Sequence, residues 1–374
     1  MRKPVRILSL HMAMAASYWQ RGFESGAQTP AAIYDDMHAI VSGIQLYRAH
    51  SYARNLAPLK CVYKDGCVSV LCAGDAADEN APVVLLVPSL INKSDILDLH
   101  ENRSLLRWLS AQGARAYLLD WGDVSGDDGA PDLDAVVADK LIGAAAFLTQ
   151  HHGQKIHALG YCMGGTLSVA AAALKPDYFA SLVTLAAPWD FHAGSQALLQ
   201  RVKFWAPGLL SSAASHLPVD VDWLQMVFAS LDPHFALKKF ARFAAMDQDS
   251  EKAALFVAVE DWLNDGVALP YGVAKNVIED WFFANAPAQQ KWSIGGHAIV
   301  PQAVDIPALV VASSKDTLVE FDTAKALADA LPRAVLHDPA CGHIGMIAGG
   351  DAIGSIWQRI ADWIYRHSML QGEA

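Results

Sequence analysis

Several things are scarce in this chain of 374 residues, and each scarcity excludes something. Basic residues are few: 28 Lys and Arg against 39 Asp and Glu give a formal net charge of −11, so no basic stripe of a general nucleic-acid binder is present. No polybasic membrane patch stands out either. Charged residues make up only 18% against 53% hydrophobic ones, which argues against global disorder and for a large buried core. Yet no apolar run is long enough to span a bilayer. The stretch Leu141–Leu148 is bounded by Lys140 and by Thr149, Gln150 and His151, and reads as helix-core material. There are only five cysteines, an odd number, and Cys61, Cys67 and Cys72 lack the short paired spacing of a zinc site. They read as buried free thiols of a reducing cytoplasm. Met1-Arg2-Lys3 ahead of an apolar patch ending at Ser17 has some look of a secretory leader. His11 interrupts that patch, and Trp19 and Gln20 continue a helical pattern, so a helix is expected instead. Internal repeats and low-complexity segments are lacking.

What is present is a rhythm. Residues 1–58 read as a helical N-terminal segment without chemistry. Cys61-Val62-Tyr63 and Val68–Leu71 flank a Lys64-Asp65-Gly66 turn, the pattern of a β-hairpin. Short apolar runs then alternate with helical spacing: Val83–Val87, Ala116–Leu119, Ile156–Leu159 and Leu182–Leu185 as strands, with Leu133, Val136, Val137, Leu141 and Ala144 on one helix face. This alternation predicts an α/β fold with a mostly parallel, doubly wound sheet. It stops at Trp189 and resumes at Ala308–Val311. The intervening stretch looks helical and holds six of the eleven tryptophans, Trp189, Trp205, Trp223, Trp262, Trp281 and Trp292. The expected organisation is a core of residues 59–188 and 301–374 with a cap inserted at 189–300. The cap is expected to cover Cys162 and leave an apolar tunnel or a closed pocket.

The chemistry concentrates at Gly160-Tyr161-Cys162-Met163-Gly164-Gly165, which follows a strand and opens a helix. That context matches the nucleophile elbow of α/β-hydrolases, with Cys in place of Ser. A tight turn there leaves no room for side chains two residues either side, which Gly160 and Gly164 provide. The helix N-terminus favours a thiolate. The Met163 backbone N–H is one expected oxyanion donor, and the loop around Ser89-Leu90 the other. A plain buried cysteine at a turn is the alternative. Asp316 follows the strand Pro307–Ala312, at the carboxyl end where such sites assemble. Its alternative is a turn residue, and Asp322 is the expected N-cap of the next helix. His343, in the loop after Ala334–His337, comes last in the order nucleophile, acid, base. His337 and His192 are weaker rivals, and Cys341 reads as a structural loop residue. Lys238, Lys239 and Arg242 either meet phosphates or, by preference, form a solvated helix face.

On these residues the chain resembles the polyhydroxyalkanoate synthases of the short class. Gly160 to Leu167 is similar to their modified lipase box. Pro88 to Leu99, with its Asn92-Lys93 and Ile96-Leu97-Asp98-Leu99, is similar to a second family segment. Leu118-Leu119-Asp120-Trp121-Gly122 and Cys341-Gly342-His343-Ile344-Gly345 also match the family style. Ser94 and Asp95 stand where the family commonly has aromatic residues. The resemblance implies an α/β-hydrolase fold with a helical cap. It implies an acyltransferase that polymerises 3-hydroxyacyl-coenzyme A, with Cys162 carrying the acyl chain, His343 as base and Asp316 orienting it. No cofactor is implied beyond the coenzyme A thioester as substrate. A homodimer or partner synthase subunit, a polymer granule and a cytoplasmic location are further implications. A thioesterase or depolymerase on the same triad, and a non-catalytic granule-associated binding protein, are the competing readings.

Overall fold

The computed structural model describes residues 2, 5–74, 78–124, 131–212, 217–231 and 235–369. Met1 and Lys3 of the leader-like start lie outside the described residues, as do 370–374 of the expected core. Eight strands form the main sheet: β1 (Lys60–Asp65), β2 (Val68–Cys72), β3 (Val83–Val87), β4 (Arg115–Asp120), β5 (Ile156–Tyr161), β6 (Phe179–Leu185), β7 (Ala308–Val311) and β8 (Ala334–His337). In space they run β1-β2-β4-β3-β5-β6-β7-β8. From β3 onward every pairing is parallel. Only β1 with β2, and β2 with β4, pair antiparallel. The β1–β2 hairpin turns at Gly66, whose φ of 63° suits a residue without Cβ.

The apolar runs explain the sheet. All five side chains of β3 are fully buried, because parallel strands are covered on both faces. Val83, Leu85 and Val87 enter one apolar layer, while Val84 and Leu86 enter the other. The chain builds β3 and β4 towards one edge, then crosses to lay β5 on the other side of β3. Strand order therefore reverses at β3/β5, and a crevice opens at their carboxyl ends. Pro88 leaves β3 there, and Cys162 leaves β5 there.

After β6 the chain leaves the sheet until β7. Between them lie helices Ala197–Ser212, Val221–Ala229, Phe235–Ala244, Glu251–Leu263 and Tyr271–Asn276, with a short ribbon of Ser293–Ile294 and His297–Ala298. The N-terminal helices Leu8–Glu24 and Pro30–Ala49 join this region. Trp19, Ile40 and Tyr47 share an apolar cluster with Phe240, Phe243 and Val257. Gly43 allows the closest approach: a Cβ there would lie 2.1 Å from the Phe240 carbonyl oxygen. Among the described residues no helix is long and apolar enough to cross a membrane.

Three readings need correction. Lys239 is not on a solvated face: its Nζ lies 2.8 Å from Glu260 Oε2, and both side chains are largely buried. Helical spacing shows which residues share a face but not what packs on it. Asp322 is not the N-cap of helix Phe321–Ala330. Glu320 holds that position, and Asp322 sits in the first turn. None of the five cysteines is in a disulfide, and only Cys72 is buried. Cys61 is exposed because β1 is the edge of the sheet.

Candidate active site

Cys162 occupies a backbone conformation few residues other than glycine adopt, φ 54° and ψ −127°, between β5 and helix Met163–Leu174. Its amide N–H donates to the Leu185 carbonyl at the end of β6 (2.8 Å), and its own carbonyl accepts from Gly165 N–H (2.9 Å). The turn is therefore fixed by backbone bonds on both sides. The flanking glycines are sterically required. A Cβ on Gly160 would lie 2.3 Å from Gly165 Cα, and one on Gly164 would lie 2.1 Å from the Val87 carbonyl oxygen. Gly165 is under the same constraint, 2.5 Å from Ala187 Cβ.

His343 comes from the loop after β8, and Asp316 from the loop after β7. His343 Nδ1 lies 2.7 Å from Asp316 Oδ2, with the aspartate side chain fully buried. The other carboxylate oxygen accepts from the backbone N–H groups of Leu318 (2.9 Å) and Val319 (3.0 Å). One oxygen thus fixes the loop while the other is left for the imidazole. Ser313 ties the two loops together: its Oγ donates to the Cys341 carbonyl and accepts from Cys341 N–H (2.8 Å). Burial drives the His343 ring towards neutrality. The Cys162 sulfur, by charge and as a side-chain hydrogen-bond partner, and the Asp316 carboxylate outweigh it and hold the pKa at about 10. The Cys341 pKa is raised as well, by burial and then by the Asp316 charge, which for a thiol favours the neutral form.

The structure thus brings Cys162, His343 and Asp316 into one constellation. It keeps the rival histidines away: His337 Nε2 pairs with the Ser355 carbonyl (3.0 Å), and His192 Nε2 with the Phe282 carbonyl (2.8 Å). Met163 is the first residue of its helix, where N–H groups have no intrahelical acceptor. Leu90 is in the turn after β3 with its side chain buried. Ser89 Oγ accepts from Ile91 N–H (3.2 Å), and it is Ile91 that reaches the cavity. Trp121 steadies this loop by donating from Nε1 to the Pro88 carbonyl (3.0 Å).

Cys162 and Met163 line a cavity of about 120 Å³ whose walls are almost wholly apolar. Leu199, Val202, Trp223, Val227, Phe228 and Trp281, all from the 189–300 stretch, supply much of that lining. At one side the rim is polar, with Gln196, Glu320 and Thr323. Glu320 clasps the segment leading into helix Ala197–Ser212: its carboxylate accepts from Ser195 N–H (2.5 Å) and from the Ser195 hydroxyl.

The second quoted segment is a set of clamps. Lys93 Nζ pairs with Asp265 (2.6 Å), and the Lys93 carbonyl accepts from Trp262 Nε1 (2.8 Å). Ser94 Oγ donates to Asp120 (3.0 Å). The fully buried Asp98 accepts from Ser104 Oγ (2.6 Å), Arg107 Nε (2.8 Å) and Arg54 Nη2 (3.1 Å). Sequence reasoning missed Tyr161. Its hydroxyl donates to the His343 carbonyl (3.3 Å), and its ring sits 5.1 Å from the imidazole. The signal lay inside the elbow motif, since the residue before Cys162 still belongs to a strand buried on both faces. Among the described residues no cluster of His, Cys, Asp and Glu has the geometry to hold a metal ion.

Residues 82–349 match the family described as alpha/beta hydrolase fold. The chain belongs to that family. Within this α/β-hydrolase assignment, two curated relatives are each called a poly(3-hydroxyalkanoate) polymerase subunit PhaC. The one from Haloferax mediterranei is 29% identical over 359 residues, 94% of this chain and 70% of the relative. The one from Thiocystis violacea is 29% identical over 291 residues, 76% of this chain and 81% of the relative. Among solved structures, an alpha/beta hydrolase fold protein from Nakamurella multipartita matches with a TM-score of 0.51 at 19% identity, covering 83% of this chain and 99% of that one. This last likeness bears on the fold of the α/β-hydrolase alone.

Proposed function

We propose that this chain is an acyltransferase that polymerises 3-hydroxyacyl-coenzyme A into polyhydroxyalkanoate through a covalent acyl-Cys162 intermediate. The observation that carries the proposal is a cysteine on the strand-to-helix elbow that lines an apolar cavity, together with the His343–Asp316 pair. Kinship with polymerase subunits over most of the chain supports the same reading. A thiolate exchanges with a thioester at nearly equal energy, so the acyl group stays activated towards a hydroxyl acceptor.

His343, its pKa raised to about 10, already holds the proton of Cys162, and the thiolate attacks the thioester carbonyl. The Met163 N–H and the loop at Leu90 hold the oxyanion. The carbon–sulfur bond to coenzyme A breaks, and His343 returns the proton to the departing thiolate. His343 then takes the proton of an incoming 3-hydroxyl, whose oxygen attacks the acyl-Cys162 carbonyl. The ester bond forms as the bond to Cys162 breaks. Asp316 fixes the ring and its tautomer throughout. Coenzyme A enters as part of the substrate, and no other cofactor takes part. A partner synthase subunit or a second copy of the chain, and the surface of a polymer granule, belong to the same proposal.

The test follows coenzyme A release and the fate of the acyl group together, from 3-hydroxybutyryl-coenzyme A, with and without a candidate partner subunit. Oligomeric ester is expected. Stoichiometric free 3-hydroxy acid in both conditions would overturn the proposal in favour of a hydrolase.

A further inference from the structure

Cys341 lies two residues before His343 in the loop after β8. That loop runs along the surface: Asp338, Ala340 and Gly342 are exposed, and Gly342, next to His343, has open space around it. A glycine beside the histidine leaves the backbone free to turn, so the imidazole has to be fixed by ties to other segments. The most deeply buried tie is Ser313, 1% exposed, just after β7. Its hydroxyl donates to the Cys341 carbonyl (2.5 Å) and accepts from the Cys341 N–H (2.8 Å), so one oxygen satisfies both backbone groups of that residue. The Ser313 carbonyl accepts from the Asp316 N–H (3.1 Å) and closes the turn that carries the aspartate. One residue therefore grips the Asp316 turn with its main chain and the His343 loop with its side chain. Two further ties are weaker. The exposed Asp338 carboxylate accepts from the N–H groups of Ser314 (3.1 Å) and Ala340 (2.8 Å), in competition with water. The Tyr161 hydroxyl reaches the His343 carbonyl at 3.3 Å.

We propose that Ser313 is a positioning residue, whose hydroxyl sets the place at which the His343 imidazole meets the Asp316 carboxylate. The contact it governs is 2.7 Å long, from His343 Nδ1 to Asp316 Oδ2. A hydroxyl suits the task because it is a small group that donates and accepts at once. Alanine would leave the Cys341 N–H and carbonyl without that partner, and the loop would relax away from the end of β7. A displacement of about 1 Å in a reacting group can cost roughly 10²-fold in rate. The reaction through which this is read rests on the synthase reading, whereas the His343–Asp316 contact can be observed without substrate.

Ser313→Ala is compared with Ser181→Ala, which deletes another fully buried hydroxyl, bonded to His157 (2.8 Å) in β6. The first readout is NMR of His343 without substrate. In wild type its Nδ1 proton should resonate far downfield, as a short bond to a carboxylate requires. In Ser313→Ala that resonance should move upfield or be lost to exchange, and the imidazole titration midpoint should fall from about 10, because Asp316 is among the groups that raise it. Ser181→Ala should leave both unchanged. The second readout is steady-state coenzyme A release from 3-hydroxybutyryl-coenzyme A. Here kcat should fall roughly tenfold to a hundredfold in Ser313→Ala, with KM near that of wild type. A wild-type resonance and titration, or an unchanged kcat, would reduce Ser313 to a packing role and overturn the inference alone. No release by the wild-type chain would sink the synthase reading, and the resonance would then decide the role of Ser313. If Ser313→Ala does not fold, Ser313→Cys keeps a weak donor and acceptor in nearly the same space. It should show the same changes to a smaller degree, and wild-type behaviour there would overturn the inference.

Discussion

His343 is the residue whose charge its neighbours decide. Burial alone would depress its pKa below 6.5, but Cys162, first among the opposing causes, and Asp316 raise it to about 10. Removing the sulfur in Cys162→Ala should therefore lower the His343 pKa, which imidazole NMR titration would show. The stability consequence has a definite sign. A histidine with a raised folded pKa contributes fully below the unfolded value of 6.5 and loses that contribution as pH rises through about 10. Thermal unfolding of wild type and Cys162→Ala should thus differ more at pH 6 than at pH 10. Asp316 acts through the ring. Asp316→Asn keeps the two backbone bonds to Leu318 and Val319 within reach of the side-chain oxygen but disturbs the His343 tautomer. Coenzyme A release should slow by roughly 10⁴-fold with substrate binding retained, as in other triads that lose the orienting acid.

At the scale of elements, the segment from Asn92 to Leu99 clamps the loop after β3 to the helices above it. Asp98 is its anchor, a side chain 1% exposed between Arg54 and Arg107. Asp98→Ala would leave the partly buried Arg107 guanidinium without its carboxylate, while Arg54 would keep Asp95 at 3.3 Å. It should cost roughly 3–5 kcal/mol, read as a lower denaturation midpoint with an unchanged slope. The sequence made some of this legible and not the rest. Strands β3, β5 and β6 announced themselves because residues buried on both faces leave unbroken apolar runs. The elbow was legible because backbone–backbone approach at Gly160 and Gly164 admits no other residue. Chain order singled out His343 among fourteen histidines, which residue type could not do, and the structure pairs it with Asp316. Lys239 and Tyr161 were illegible in their roles for one shared reason. Each is defined by a partner far away in sequence, Glu260 and His343, and no local spacing encodes such a meeting.

For the whole molecule, histidines set the acid limit. Burial lowers the pKa of His157 to about 3, and burial with the Lys239 charge lowers that of His11 to about 4. As pH falls below 6.5 the unfolded chain takes up these protons before the folded one does, so stability is lost from 6.5 down towards 3. His157 matters most for position. It joins Ser181 of β6 (2.8 Å) to Ser368 of the last helix (2.8 Å). His157→Gln should flatten the fall in melting temperature between pH 6.5 and pH 4 relative to wild type, measured by calorimetry.

The cavity beside Cys162 has a consequence for the product. At about 120 Å³ it approaches the ~150 Å³ of an engineered cavity that takes up one benzene, so it has space beside Cys162 for one short unit. An enzyme that counts its product needs a groove as long as the count, and among the described residues the cavity that Cys162 lines is sized for one unit. Chain length then becomes a contest of rates, elongation against release, replayed identically at every addition. The polymer made should be broad in size, with a mean that climbs as the ratio of substrate to enzyme is raised. Size-exclusion chromatography of the extracted ester would read this directly. A sharp length unaffected by that ratio would mean that the measuring is done by something other than this cavity.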